Sequence, residues 1–125
     1  MSNIDTYASV LGLLGFKEPR GWKHEGRDWS KLLLGGRYTP NEAIFGQYDL
    51  HHDATAWLRM IRTPDWKLIR NYVADSPDEL YDLKNDPGET RNLYDDPGHE
   101  KIRRQLQEGL NAWRRKIRDP LLEKK

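Results

Sequence analysis

The sequence predicts an α+β fold: a four-stranded antiparallel sheet packed by a long C-terminal helix, preceded by an N-terminal helix and a loop. Three observations carry that expectation. Ile102, Leu106, Leu110, Trp113 and Ile117 are spaced 4, 4, 3 and 4, an apolar stripe on one face of a helix over residues 97–118. Four short runs rich in aromatic and branched residues precede it: Glu42–Tyr48, Trp57–Arg62, Trp66–Tyr72 and Glu79–Leu83. The joins between them are short, which favours an antiparallel meander over parallel crossovers.

The elements follow in order. Ile4, Tyr7, Val10 or Leu11, and Leu14 recur at three- and four-residue steps and predict a helix over Asn3–Leu14 with these side chains on one face. Asn3 or Asp5 is the candidate N-cap, and Gly15 stands where a left-handed C-cap is wanted. Residues 16–36 read as a connecting loop punctuated by Pro19, Gly21, Gly26, Gly35 and Gly36. Within it Asp28 is placed to start a short helix carrying Leu32 and Leu33 inward. Thr63-Pro64-Asp65 is a hairpin-sized turn between the second and third strands. Trp57 and Trp66 are a candidate cross-strand aromatic pair. Asn85-Asp86-Pro87-Gly88 is turn chemistry, since Asn and Asp bond their own backbone and Pro fixes φ. Asp96 with Pro97 starts the last helix, and Asp119-Pro120 stops it.

Composition bounds the function. The chain has 125 residues, 36% apolar and 33% charged, enough for one modest core. Five Trp and six Tyr argue against disorder. A net charge of +1 gives no global field for nucleic acid or membrane, and neither is expected as a partner. The absence of cysteine excludes disulfides, thiolate metal sites and a Cys nucleophile. No apolar run reaches the roughly 18–20 residues that span a bilayer, and no signal peptide is expected. These features leave the compartment open.

The stretch from Glu79 to Leu93 is the most specific. Glu-Leu-Tyr-Asp-Leu, two residues, Asp-Pro, then Glu and Asn-Leu resembles the signature near the C-terminus of the sulfatases, the formylglycine-dependent sulfate-ester hydrolases. Asp5 to Gly15, Gly26 to Gly36 and Arg59 to Ile69 resemble three further family segments, with Asp28-Trp29 departing from the usual pattern. The resemblance covers about Ile4 to Trp113. It implies that residues 1–36 correspond to the end of a catalytic domain and its linking loop. It implies that residues 37–125 form the C-terminal sheet-and-helix subdomain, which docks on the catalytic domain and shapes the substrate entrance. The parent activity it implies is hydrolysis of a sulfate ester, such as one on a sulfated carbohydrate, with formylglycine and calcium.

The chemistry itself is missing from this sequence. A sulfatase nucleophile is made from Cys or Ser in Cys/Ser-x-Pro-x-Arg, and none of Ser2, Ser9, Ser30 or Ser76 is followed by that pattern. No catalytic residue and no metal ligand is therefore assigned, and the chain alone is expected to be inactive. Its expected partner is the missing catalytic domain, or a second copy through the orphaned face. His51-His52-Asp53 is the one cluster with side chains suited to metal binding or proton transfer. Three readings stand for it: a polar loop between strands, the rim of the substrate entrance implied by the resemblance, or a free-standing metal site. Lys67, Arg70, Arg59 and Arg62 could together hold an anion, or pair with neighbouring carboxylates. The basic last helix reads as a solvated face. An independent binding module that has lost the enzyme is the second functional reading. In that case the N-terminal helix packs within the chain.

Overall fold

Four strands hydrogen-bond in sequence order: β1 (Ile44–His51), β2 (Thr55–Arg62), β3 (Trp66–Asn71) and β4 (Glu79–Asp82). All three pairings are antiparallel, as the short joins require. The computed structural model describes residues 3–37, 39, 41–51 and 55–122. It divides into two units, residues 1–41 and 42–125.

In the second unit, the register fixes which side chains share a face. Phe45 lies opposite Ile61, Ile61 opposite Leu68, and Leu68 opposite Leu80. Alternation along the strands puts all four on one side of the sheet. Helix α3 (Glu100–Ile117) lays its apolar stripe on that side. Ile61, Leu68, Leu80, Leu93, Leu106 and Leu110 form the buried core, with Ile102 and Trp113 packed against it. The Phe45 and Trp113 rings stack 5.2 Å apart.

The signature stretch works as a brace for β4. Leu93 N–H donates to the Leu80 carbonyl at 2.8 Å. The Asn92 side chain does what a fifth strand's backbone would do. Its oxygen accepts from Leu80 N–H and Tyr94 N–H, both at 3.0 Å, and its amide nitrogen donates to the Asp78 carbonyl at 3.0 Å. Asp82 and Asp86 act as turn residues, as expected. Asp82 accepts from the Lys84 and Asn85 N–H groups, and Asp86 from those of Thr90 and Arg91. Asp96 caps the turn before α3 by accepting from Gly98 N–H at 2.9 Å. Asn92→Ala strips partners from an edge strand and is expected to cost about 1–3 kcal/mol, read as a lowered urea midpoint with unchanged slope.

The first unit leaves the apolar face of its helix exposed, as expected of a helix whose cover lies outside the chain. A turn of 3-10 helix (Asn3–Asp5) leads into helix α1 (Thr6–Leu13), and Gly15 takes the left-handed φ of 71° as foreseen. The buried residues at its start are Asp5, Ala8 and Ser9, not the large apolar ones. Asp5 caps nothing. Its carboxylate accepts from Arg27 N–H at 2.9 Å, and Ser9 Oγ accepts from Trp29 N–H at 3.0 Å. A Cβ at Gly12 would stand 2.5 Å from the Asp28 carboxylate, so the loop approaches the helix where only glycine fits. Ile4, Tyr7, Val10, Leu13 and Leu14 are exposed at 43–64%. In helix α2 (Ser30–Leu33) the N-cap position falls on Trp29, not Asp28, though the Asp28 carboxylate accepts from Ser30 N–H at 2.7 Å. Leu32 and Leu33 of this helix, expected inward, are exposed, while Trp29 and Ser30 are buried. In both helices a small polar face makes the hydrogen bonds within the unit, and the apolar face is left outside.

Candidate functional site

The expected site lies at the β1–β2 hairpin. His51 is the last residue of β1 and pairs with Thr55. His52 and Asp53 lie outside the described residues. Among the described residues no group of three His, Cys, Asp or Glu side chains could hold a metal ion.

Behind the hairpin, on the α3 side of the sheet, stands a buried charge network that sequence reasoning missed. Arg59 of β2 is 1% exposed and is gripped from two sides. Its Nε and Nη2 donate to the two Asp119 oxygens at 2.9 and 3.0 Å. Its Nη1 and Nη2 donate to the Asp49 oxygens at 2.6 and 3.2 Å. Arg114, from the last turn of α3, donates Nε to Asp119 at 2.9 Å and also bonds the Tyr72 hydroxyl and the Leu121 carbonyl. Its guanidinium lies 4.5 Å from the Tyr72 ring centroid. Leu121 N–H donates to Asp119 at 3.0 Å.

The local sequence explains how Asp119 arrives there. Arg118 takes a left-handed φ of 55° and ends the helix, so the chain folds back at Asp119-Pro120. Burial alone would push the Asp119 carboxyl up. The Arg59 guanidinium, Leu121 N–H and Arg114 overcome burial and hold it at about 2. The signal in the sequence was Arg114 itself, four residues after Leu110 on the side of the apolar stripe. A charge at such a position implies a buried partner.

The four cations proposed as an anion cluster do not converge. Arg59 pairs with Arg70 in register on the helix side, while Arg62 pairs with Lys67 on the other side. Arg59 is neutralised as above, Lys67 by Glu89 at 2.5 Å and Arg70 by Asp78 at 3.0 Å. Carboxylate pairing, the alternative reading, is what the strands contain. Trp57 and Trp66 do not pair either, because they lie at opposite ends of the β2–β3 hairpin. Trp57 is opposite Asp49, and Trp66 is opposite Asp82 with its ring 5.6 Å from that of His99.

A second polar surface lies along α3. Tyr94 has the Arg103 guanidinium 4.9 Å from its ring centroid and that of Arg70 at 5.8 Å. Arg103 Nη1 donates to the Tyr94 carbonyl at 2.7 Å. Burial raises the Tyr94 hydroxyl above its ordinary value, and Asp78, which accepts from it, adds to the rise.

Comparison with known proteins assigns the chain. The family model for the C-terminal part of N-sulphoglucosamine sulphohydrolase matches residues 1–116. An uncharacterized sulfatase of Escherichia coli, YidJ, is 33% identical over 111 residues, covering 86% of this chain and 18% of its own length. A putative sulfatase from Bacteroides thetaiotaomicron superposes with a TM-score of 0.84 at 25% identity, covering 97% of this chain and 26% of that one. A structure described as a 2-O GAG sulfatase gives 0.83 at 25% identity, with the same coverage. The chain thus spans about a fifth to a quarter of the length of these relatives. The family model, the relatives and the superposed folds agree, and the chain belongs to the family of sulfatase C-terminal parts.

Proposed function

We propose that the chain is the non-catalytic C-terminal part of a sulfuric-ester hydrolase, which braces the catalytic part and shapes its substrate entrance through His51, His52 and Asp53. The inside-out α1 carries this reading. A helix that buries Asp5 and Ser9 and exposes Ile4, Tyr7, Val10 and Leu14 is built to pack against something more. The missing three-quarters of a sulfatase is the occupant whose size and family fit. Formylglycine and calcium belong to that part. This chain has no Cys or Ser in the required motif, and its described residues include no cluster suited to calcium.

The test is made on the purified chain. With calcium and a chromogenic aryl sulfate it is expected to show no turnover. Light scattering is expected to show self-association, and the double variant Val10→Asp/Leu14→Asp to be monomeric with the same thermal midpoint for the sheet unit. Robust turnover that copurifies with the chain, or a strictly monomeric wild type, overturns the proposal. A free-standing binding module is the second reading, favoured by one observation: the sheet unit closes its own core under α3. A monomeric wild type would select it.

A further inference from the structure

We propose that the outer edge of β1 takes up an extended strand of the missing catalytic part, bonded to the backbone N–H and C=O groups of Phe45, Gln47, Asp49 and His51. That strand, which rests on the sulfatase reading above, would join the two parts beside the β1–β2 hairpin.

The pairing of β2 with β3 settles which way each backbone group points. Tyr72 N–H donates to the Trp57 carbonyl at 2.9 Å, and Thr63 N–H to the Trp66 carbonyl at 2.8 Å. Along an antiparallel strand these groups alternate from one side to the other. The odd-numbered residues of β2 therefore bond β3. Ala56, Leu58, Met60 and Arg62 bond β1 through their partners Leu50, Tyr48, Gly46 and Ile44. The other four residues of β1 turn their backbone groups away from the sheet. No hydrogen bond reaches those groups among the described residues.

The opposite edge is braced. The outward N–H and C=O of Leu80 in β4 are taken by Asn92 and Leu93. β1 has eight residues against four in β4, and nothing comparable beside it. It also lacks the usual guards of a free edge. It contains no Lys, Arg or Pro, and its register with β2 runs through eight pairs without a bulge. Its one carboxylate, Asp49, is turned to Arg59. Gln47, Tyr48 and Asp49 are exposed in succession, although neighbouring side chains face opposite sides of the sheet. An unguarded edge of this length is a template for strand addition.

The side chains state what fits. Ile44, Tyr48 and Leu50 lie on the face away from α3, and Gln47 and Asp49 on the helix face. A strand that alternates apolar and polar residues, apolar beside Tyr48, matches both. The chain covers 26% of a sulfatase on which it superposes, so the catalytic part has ample length to supply such a strand. Bonded as far as His51, it would fix where the hairpin stands.

The experiment is residue-resolved hydrogen exchange on the whole chain, alone and carried in YidJ in place of the residues it matches. In the chain alone, the Gly46, Tyr48 and Leu50 amides are expected to exchange slowly and those of Phe45, Gln47, Asp49 and His51 freely. In the fusion the second set should slow by at least about tenfold, the order of one backbone hydrogen bond. Gln47→Pro removes an outward N–H and leaves the β1–β2 bonds intact. It is expected to cancel the slowing at Phe45 and Asp49, while Gln47→Thr, which keeps the N–H, does not. If Gln47→Pro fails to fold, the exchange pattern of the parent fusion decides alone. Slowed exchange in α1 with the β1 set still free would overturn the added strand and leave the catalytic part as partner. No change at either place would overturn both readings. Slowing of the β1 set in the chain alone as its concentration rises would give the edge to a second copy and overturn the proposal.

Discussion

Asp119→Ala is expected to lower the thermal midpoint of the sheet unit by more than about 12 °C. The carboxylate holds two guanidiniums that are 1–2% exposed. Removing one member of a buried ionic network leaves uncompensated charge, at a cost of about 3–5 kcal/mol. A domain of this size loses roughly 4–8 °C per kcal/mol. Near-UV circular dichroism on the Trp and Tyr signals is the measurement. A loss of only a few degrees would show that water reaches Arg59 and Arg114 freely and that the network is not closed. The paired variant Arg59→Met/Asp119→Leu should lose less than the single losses added together, since Arg59 leaves with its partner, while Arg114 still loses the shared carboxylate.

The same carboxylate sets the acid limit. Its folded value of about 2 lies below the ordinary 3.8. A depressed carboxylate stabilises the fold fully above its unfolded value, and that stability is lost as pH falls through the folded value. Asp119 therefore contributes about 2 kcal/mol above pH ~4, lost between about pH 4 and 2. Asp119→Asn should flatten the stability profile across that window, which urea melts at stepped pH will read.

The sheet was legible because its signals are local. The alternating runs, the Thr63-Pro64-Asp65 turn and the α3 stripe each specify their own element, and hydrophobic burial requires only that one face meet the other. Strand ends differed by one to three residues. Glu42 and Ala43 lie outside β1, and pairing across the hairpin extends β1 to His51 and β2 back to Thr55. The α1 helix and its orphaned apolar face were legible, while the buried Asp5, Ala8 and Ser9 side was not. Periodicity shows where an apolar face lies, and says nothing of whether its cover is in the same chain. The charge network was hidden for a different reason. Asp49, Arg59, Tyr72, Arg114 and Asp119 come from separate places in the chain, and apart from Arg114 on the apolar side of α3 each has an ordinary surface reading. Only the sheet register and the reversal after Arg118 bring them together.

Leu110→Ala should be the most damaging substitution of an apolar residue in α3. Leu110 is 0% exposed and packs with Ile61, Leu68 and Leu80, and such truncations cost about 2–5 kcal/mol because the walls relax only partly. The neighbouring position separates packing from helix propensity. Gly109 to Ala gains up to about 1 kcal/mol of propensity. The new methyl would stand 3.1 Å from Ile61 Cδ1, the far end of a flexible side chain. Ile61 has to turn aside by a few tenths of an ångström, and it sits in the middle of the core. The two terms nearly cancel, so Gly109→Ala is expected within about 1 kcal/mol of the parent while Leu110→Ala falls well below it. Both are measured by urea unfolding at equal slope. If Leu110→Ala cost less than 1 kcal/mol, α3 would not be the lid of the sheet, and the core described here would have to be closed by something else. If Gly109→Ala cost as much as Leu110→Ala, the helix would be seated too tightly to shift, and glycine at that position would be required by the close approach of helix to sheet.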